Sequence, residues 1–311
     1  FLATGSVLHA TRERSLGKLG GLIHRMPWVA WRALVGTLAI AGLPPLNGFV
    51  SEWLLLQAFL FTPTLPQSFV NMLVPLAAAA LVLAAALAAY VMVKFYGVIF
   101  LGQPREANLA YAHDAGWPER IALIWLAAGC VLLGVFPVTV ITAIDPINDM
   151  LLGSTAIRSV TGNWLLLTPI SADRASYSPL IVLAVIVAIV LLTMQVVHRY
   201  YHGRVRLAPP WDCGFPMQTP RMQDTAEGFG QPIRQVFEPF FRMERQLPSP
   251  SDQAPYYSVK AGDHWWHWLY LPIARAADFA ARLSGRIQQG RISVYLTYSV
   301  FTLLALLFFV R

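Results

Sequence analysis

Three ionisable residues fall where charge is costly or placed for transfer: Glu52, Lys94 and His9. Glu52 stands in GTLAIAGLPPLNGFVSEWLLL (Gly36 to Leu56), an apolar stretch interrupted by Pro44 and Pro45, which have no N–H and would leave the carbonyls of Ile40 and Ala41 unpaired. Gly42 and Gly48 flank the interruption, so a continuous helix is not expected there. A carboxyl group just past a broken backbone at membrane depth is suited to taking up and releasing protons. Burial favours its uncharged form, and water or a neighbouring cation favours the charged one. The alternatives are that Glu52 lies among lipid headgroups or pairs with a structural Lys on another helix. Asn47 and Ser51 either hold water beside the carboxyl or cap freed backbone groups. Lys94, in the inner part of a later apolar stretch, is a second intramembrane charge or a side chain that snorkels to the interface. His9, at the end of the opening apolar stub, is either a proton shuttle or a solvated histidine.

The elements that must hold these residues follow from composition. Of 311 residues 56% are hydrophobic and 13% charged, about half the roughly 25% charge of an ordinary soluble domain. That excludes a soluble enzyme and indicates a membrane protein. A helix needs about 20 apolar residues to cross the hydrocarbon, and no stretch alternates with the period of two that a barrel strand requires. The expected fold is all-α: a polytopic transmembrane helix bundle with one discontinuous helix and an amphipathic lateral helix. Residues 1–10 read as the end of a helix, 11–27 as a basic loop, and 28–61 as the broken span. Further spans are expected at 72–101, 120–143, 179–198 and 291–311. A polar stretch, 199–262, precedes the aromatic and amphipathic segment 263–289.

Charge orients the spans. Arg12, Arg14, Lys18, Arg25 and Arg32 face only Glu13, whereas 62–71 has no charge, so the first loop is expected on the cytoplasmic side and the second outside. Alternation then puts 102–120 and 198–291 inside. It puts 145–179 outside, where Asp145, Asp149 and Asp173 meet Arg158 and Arg174. The net charge of +7 is thus accounted for by loops facing anionic lipid, not by nucleic-acid binding. In the segment Pro272 to Gln289, Ala276, Phe279, Ala280, Leu283 and Ile287 share one face, and Arg275, Asp278, Arg282 and Arg286 the other. Trp265, Trp266, Trp268 and Tyr270 just upstream suit the headgroup level. Cys130 and Cys213 lie in unlike settings, so no disulfide framework or cysteine metal site is expected. Nor is there a phosphate-binding loop, dinucleotide turn or nucleophile motif. The first residue is Phe1 and no signal-peptide pattern follows, so the chain reads as a piece of a longer one.

GSVLHAT (Gly5 to Thr11), KLGGLIHRMP (Lys18 to Pro27) and GTLAIAGLPPLNGFVSEW (Gly36 to Trp53) resemble a known family. It is that of the antiporter-like membrane subunits shared by respiratory complex I, Mrp-type cation/proton antiporters and membrane-bound hydrogenases. WDCGF (Trp211 to Phe215), TPRMQ (Thr219 to Gln223), QPIRQVF (Gln231 to Phe237) and QQGRISVYLTY (Gln288 to Tyr298) are similar to its hydrogenase-4 component B and formate hydrogenlyase branch. The resemblance implies the C-terminal half of such a subunit, with 28–61 as its broken helix. Glu52 falls at the acidic position on the exit side of the proton path, where some relatives carry Lys. The family's first-half charges would precede Phe1. It also implies a lateral helix, with Pro272 to Gln289 the first candidate and Gln223 to Arg245 the second. The chain would be a non-catalytic, proton-translocating subunit of an oxidoreductase complex in a bacterial inner membrane, with no cofactor of its own. Other membrane subunits and a peripheral hydrogenase or dehydrogenase arm would be its partners. The rivals are a subunit of a multisubunit Na⁺/H⁺ antiporter, moving Na⁺ as well as protons, and a structural scaffold.

Overall fold

The structure, a computed structural model, describes residues 1–60, 66–152, 166–167, 176–201, 204, 213–214, 217–220, 222–249, 251–287 and 290–309. Phe61, Arg158, Asp173, Arg174, most of the motif Trp211 to Phe215, Arg221, Gln288, Gln289 and the last two residues lie outside that set. Helices predominate: α1 (Leu2–Thr11), α2 (Pro27–Ile40), α3 (Asn47–Leu60), α4 (Ser68–Phe100), α5 (Trp117–Val135), α6 (Pro137–Leu152), α7 (Pro179–Tyr201), α8 (Ala226–Val236), α9 (Leu271–Ile287) and α10 (Ile292–Phe309). Among the described residues α4, α5, α7 and α10 are long and apolar enough to cross a membrane, and the chain is a multi-pass membrane protein. The longest, α4, has 33 residues and so extends about 50 Å.

Two elements differ from the sequence expectation. Residues 120–143, expected as one span, form the end of one helix and the start of another. α5 stops at Val135, Phe136 leaves helical geometry, and α6 begins on Pro137. The physical reason is Pro137, which cannot donate to the preceding turn and which disfavours helical geometry at the residue before it. Proline is well accommodated at a helix's first position, so the same residue starts the next helix. The second candidate for a lateral helix, Gln223 to Arg245, is likewise not one helix. α8 ends at Val236 and β1 (Phe241–Gln246) follows, paired antiparallel with β2 (Ser258–Asp263). The register sets Glu244 opposite Lys260, a favourable cross-strand charge pair. This hairpin is the one two-stranded sheet among the described residues.

The chain divides into two compact units, Phe1–Phe229 and Gly230–Arg311. In the first, α2 packs on α4 and α5, α3 on α5 and α4, and α1 on α2 and α5. Its main core lies at the basic-loop end, where Leu22, Met26, Val29, Ile99, Phe100 and Leu109 are fully buried. The loops there interlock through backbone groups. Gly21 donates its N–H to the Leu101 carbonyl at 2.9 Å. The Asp114 carboxylate accepts from the N–H groups of Trp28 (2.8 Å) and Val29 (3.4 Å) and so caps α2 from another loop. The guanidinium of Arg32 lies 4.0 Å from the Trp28 ring centre, and that of Arg120 5.2 Å. A second cluster joins Val50 of α3 and Val138 of α6 to Leu167 and Tyr177, whose backbones exchange hydrogen bonds of 2.8 and 3.0 Å.

In the second unit, Trp266–Tyr270 forms a π-helical turn, with the rings of Trp266 and Tyr270 stacked at 6.0 Å, and leads directly into α9. On α9, Asp278 and Arg282 pair at 3.2 Å on the polar face, while Phe279 and Leu283 stay exposed on the other.

In the loop that follows α1, the Glu13 carboxyl is held below its usual range. The causes are first the N–H of Ser15, then the charge of Lys18 (3.5 Å away) and the N–H of Arg14. A depressed carboxyl pKa makes the unfolded chain bind more protons in the acid range, so this contribution is present above the unfolded value and lost as pH falls through the folded one. Glu13→Gln is therefore expected to lower the thermal midpoint slightly at neutral pH and not at all in strong acid. A thermal melt series against pH on the detergent-solubilised protein checks this.

Candidate functional site

α2 ends in a hydrogen-bonding pattern that requires a residue with positive φ. Gly42, at φ 66°, donates its N–H to the Ala39 carbonyl (3.2 Å), and Leu43 donates to Leu38 (3.2 Å). The chain then passes through Pro44–Pro45, joined by a cis peptide bond, and re-enters helix at Asn47. Among the described residues, the carbonyls of Ile40 and Ala41 accept no backbone N–H, the consequence of two consecutive residues without one. The break thus brings the partly negative C-terminal end of α2 near the partly positive N-terminal end of α3.

Backbone from α2 and α5 packs closely against this interruption, while Ile40 and Leu43 beside it stay exposed. A Cβ on Gly48 would strike the Ala39 carbonyl, and one on Gly134 of α5 would strike the backbone from Pro45 to Asn47. Glycine at 134 is what lets α5 touch the break, and this contact was not foreseen from the sequence, where Gly134 stands without other signal inside an apolar run.

The Glu52 carboxylate rests against Gly42: a Cβ there would collide with Oε2 and approach Oε1 to 3.3 Å. A helical side chain of this length leans back toward the helix start, which brings the acid from the second turn of α3 to the break itself. Glu52 is half-buried, and no hydrogen bond or ion pair to it is described. Ser51 does not turn to it; its hydroxyl donates to the Gly48 carbonyl at 2.8 Å. Asn47 Oδ1 is buried without a hydrogen-bond partner, as are Gln57 Oε1 and Asp145 Oδ1, and a buried amide or carboxyl oxygen in that state calls for water.

The other two singled-out charges lie elsewhere. Lys94 lines a cavity of about 260 Å³ near the inner end of α4 with Arg105 and Asp224. His9 is exposed at the end of α1, its Nδ1 3.5 Å from Glu119 Oε1; Glu119 also accepts a 2.9 Å bond from the Ser6 hydroxyl. The His113 ring stands edge-on to His9 at 5.8 Å. The fold therefore gathers Glu52 with Gly42, Gly48 and the proline pair, and places Lys94 and His9 at two separate positions. Glu119 is legible only as an acidic residue in the first turn of a helix, and its pairing across to α1 has no sequence signal.

Residues 1–74, which contain α2, the break and Glu52, match the transmembrane family of NADH:quinone oxidoreductase and Mrp antiporters. The chain is 28% identical to hydrogenase-4 component B of Escherichia coli (strain K12) over 99% of its own length and 46% of that protein. It is 32% identical to formate hydrogenlyase subunit 3 of the same organism, over 79% of this chain and 38% of the other. A Na⁺/H⁺ antiporter subunit A1 of Staphylococcus saprophyticus is 31% identical across 44% of this chain and 17% of its own. The chain is thus related to the antiporter-like membrane subunits, and it spans about half or less of the length of these relatives. The fold matches a chain of the membrane-bound sulfane sulfur reductase, an archaeal respiratory membrane complex, with a TM-score of 0.61 at 22% identity, covering 98% of this chain and 44% of that one.

Gly42→Ala combines a Cβ at positive φ with a collision on Glu52, and is expected to destabilise the protein by about 1–3 kcal/mol. Gly36→Ala, whose added Cβ meets nothing within 4 Å in a helix interior, is expected to be neutral or slightly stabilising. Thermal unfolding of the two variants side by side reads the difference.

Proposed function

We propose that this chain is part of a proton-translocating, antiporter-like membrane subunit of an energy-converting oxidoreductase complex, of the hydrogenase-4 or formate hydrogenlyase kind, in a bacterial inner membrane. The observation that carries the reading is the Glu52 carboxylate lying on the Gly42 backbone at an interrupted span. An acid there has one helix end favouring its anion, another opposing it, and unserved carbonyls able to hold water. Modest movement of either half-helix therefore shifts its preference for a proton. Electron transfer belongs in this proposal to peripheral partner subunits. The basic-loop end of the first unit faces the cytoplasm, and α9 is the lateral helix that contacts neighbouring membrane subunits.

The transported ion in this reading is the proton, delivered and withdrawn at Glu52, and Lys94 contributes a second charge on the path. Exchange of Na⁺ is the competing chemistry. It would make turnover depend on Na⁺ concentration at fixed pH.

Glu52→Gln keeps size and hydrogen-bonding capacity but cannot carry the proton. In the intact protein it is expected to abolish coupled proton movement, measured by a pH-sensitive dye in inside-out vesicles, while the complex still assembles. Proton movement at the parent rate in that variant removes Glu52 from the path.

A further inference from the structure

The TPRMQ motif ends on Gln223, and the structure gives that residue a specific task. Its carboxamide pairs in both directions with one backbone unit: Gln103 N–H donates to Gln223 Oε1 at 2.9 Å, and Gln223 Nε2 donates to the Gln103 carbonyl at 2.8 Å. The fit depends on two glycines. A Cβ on Gly102, which has φ 75°, would strike Gln223 Oε1, and one on Gly20 would strike the Gln103 carbonyl. Arg105 ties the next residue in place by donating to the Leu19 carbonyl at 2.8 Å and to the Asp224 carbonyl. Farther on, the Phe229 ring stacks on Tyr90 of α4 at 4.7 Å, and the Tyr90 hydroxyl donates to the Phe229 carbonyl. The segment 222–229 is therefore pinned across the inner end of α4 at three places.

Between segment and helix lies the cavity of about 260 Å³ that Lys94, Arg105, Gln223, Asp224 and Phe229 line. At about 30 Å³ per molecule it has room for several waters. Its charged groups are Lys94, Arg105 and Asp224. The guanidinium is engaged with backbone carbonyls. The half-buried Lys94 and the exposed Asp224 have no side-chain hydrogen bond or ion pair described. A half-buried ammonium needs water or an anion nearby, and Lys94 shares this one space with an acidic residue and room for water.

We propose that Lys94 and Asp224 form a second proton-exchange site, joined by water in this cavity and open to the basic-loop end, with Gln223 as the residue that positions Asp224. This rests on the reading of the chain as a proton-translocating subunit. The step is proton transfer alone: Lys94 releases a proton through water to the Asp224 carboxylate and later regains one, so only N–H and O–H bonds change.

The test uses the full-length protein in its complex in sealed vesicles. In a Cys130→Ser, Cys213→Ser background, Lys94→Cys is expected to react with a membrane-impermeant thiol reagent applied from the loop side. Val91→Cys, at an exposed position of the same helix (49%), is expected not to react. Asp224→Asn is expected to slow coupled proton movement several-fold with assembly intact, and Asp224→Glu to restore most of it. Neither Asp224→Asn nor Gln223→Ala is expected to slow Lys94→Gln further, because all three act through one site. An introduced thiol at position 94 that stays inert from the loop side overturns the proposal. So does Asp224→Asn working at the parent rate while Glu52→Gln is inactive. Retained proton movement in Glu52→Gln, in contrast, strikes the underlying reading and not this site.

Discussion

The arrangement depends on one constraint: two consecutive residues without an N–H, which leave the carbonyls one turn before them without a backbone partner. An interrupted backbone in hydrocarbon persists only where protein or enclosed water surrounds it. Here protein covers part of it at backbone distance, because glycines at 48 and 134 let α3 approach the end of α2 and let α5 approach the prolines. The same closeness fixes where the Glu52 carboxylate lies, since the space it occupies is the space Gly42 leaves free. Structure and chemistry are therefore not separable at this site. Gly48 and Gly134 let the neighbouring helices reach the break, and Gly42 leaves the acid its place there.

The loop end of the first unit obeys the same rule by a different route. There the exposed backbone groups of helix ends and loops are served by side chains from distant sequence positions. Asp114 caps α2, Arg105 takes the Leu19 carbonyl, and Gln223 pairs with Gln103. Each of these bonds spans more than eighty residues, so together they tie the loop after α1, the loop after α4 and the segment 222–229 into one body. Backbone satisfaction at both levels, not side-chain burial in the centre of the bundle, organises this unit. Apolar side chains on α4 and α7 remain outward, where lipid or neighbouring subunits would cover them.

The ionisable groups consequently sit at three separate positions in the first unit: Glu52 at the break, Lys94 beside the pinned segment, and His9 with Glu119 and His113 at the end of α1. Their separation leaves each group free to respond to its own surroundings.

Helix content, membrane character and the interruption at Pro44–Pro45 were all legible in the chain. They depend on apolar run length and on the missing proline N–H, each a local property. The split at Phe136 was equally local, signalled by Pro137, and was overlooked because the apolar run continues through it. Three-dimensional contacts decided the rest: that Gly134 meets the break, that the carboxylate of Glu52 lands on Gly42, that Glu119 faces His9, and that Gln223 returns to Gln103 and sets Asp224 on the cavity that Lys94 lines. None of these has a period or a spacing to betray it. Which distant residues meet is set by how whole helices pack, and an amide, a glycine or an acid carries no mark of its partner until the chain has closed around it.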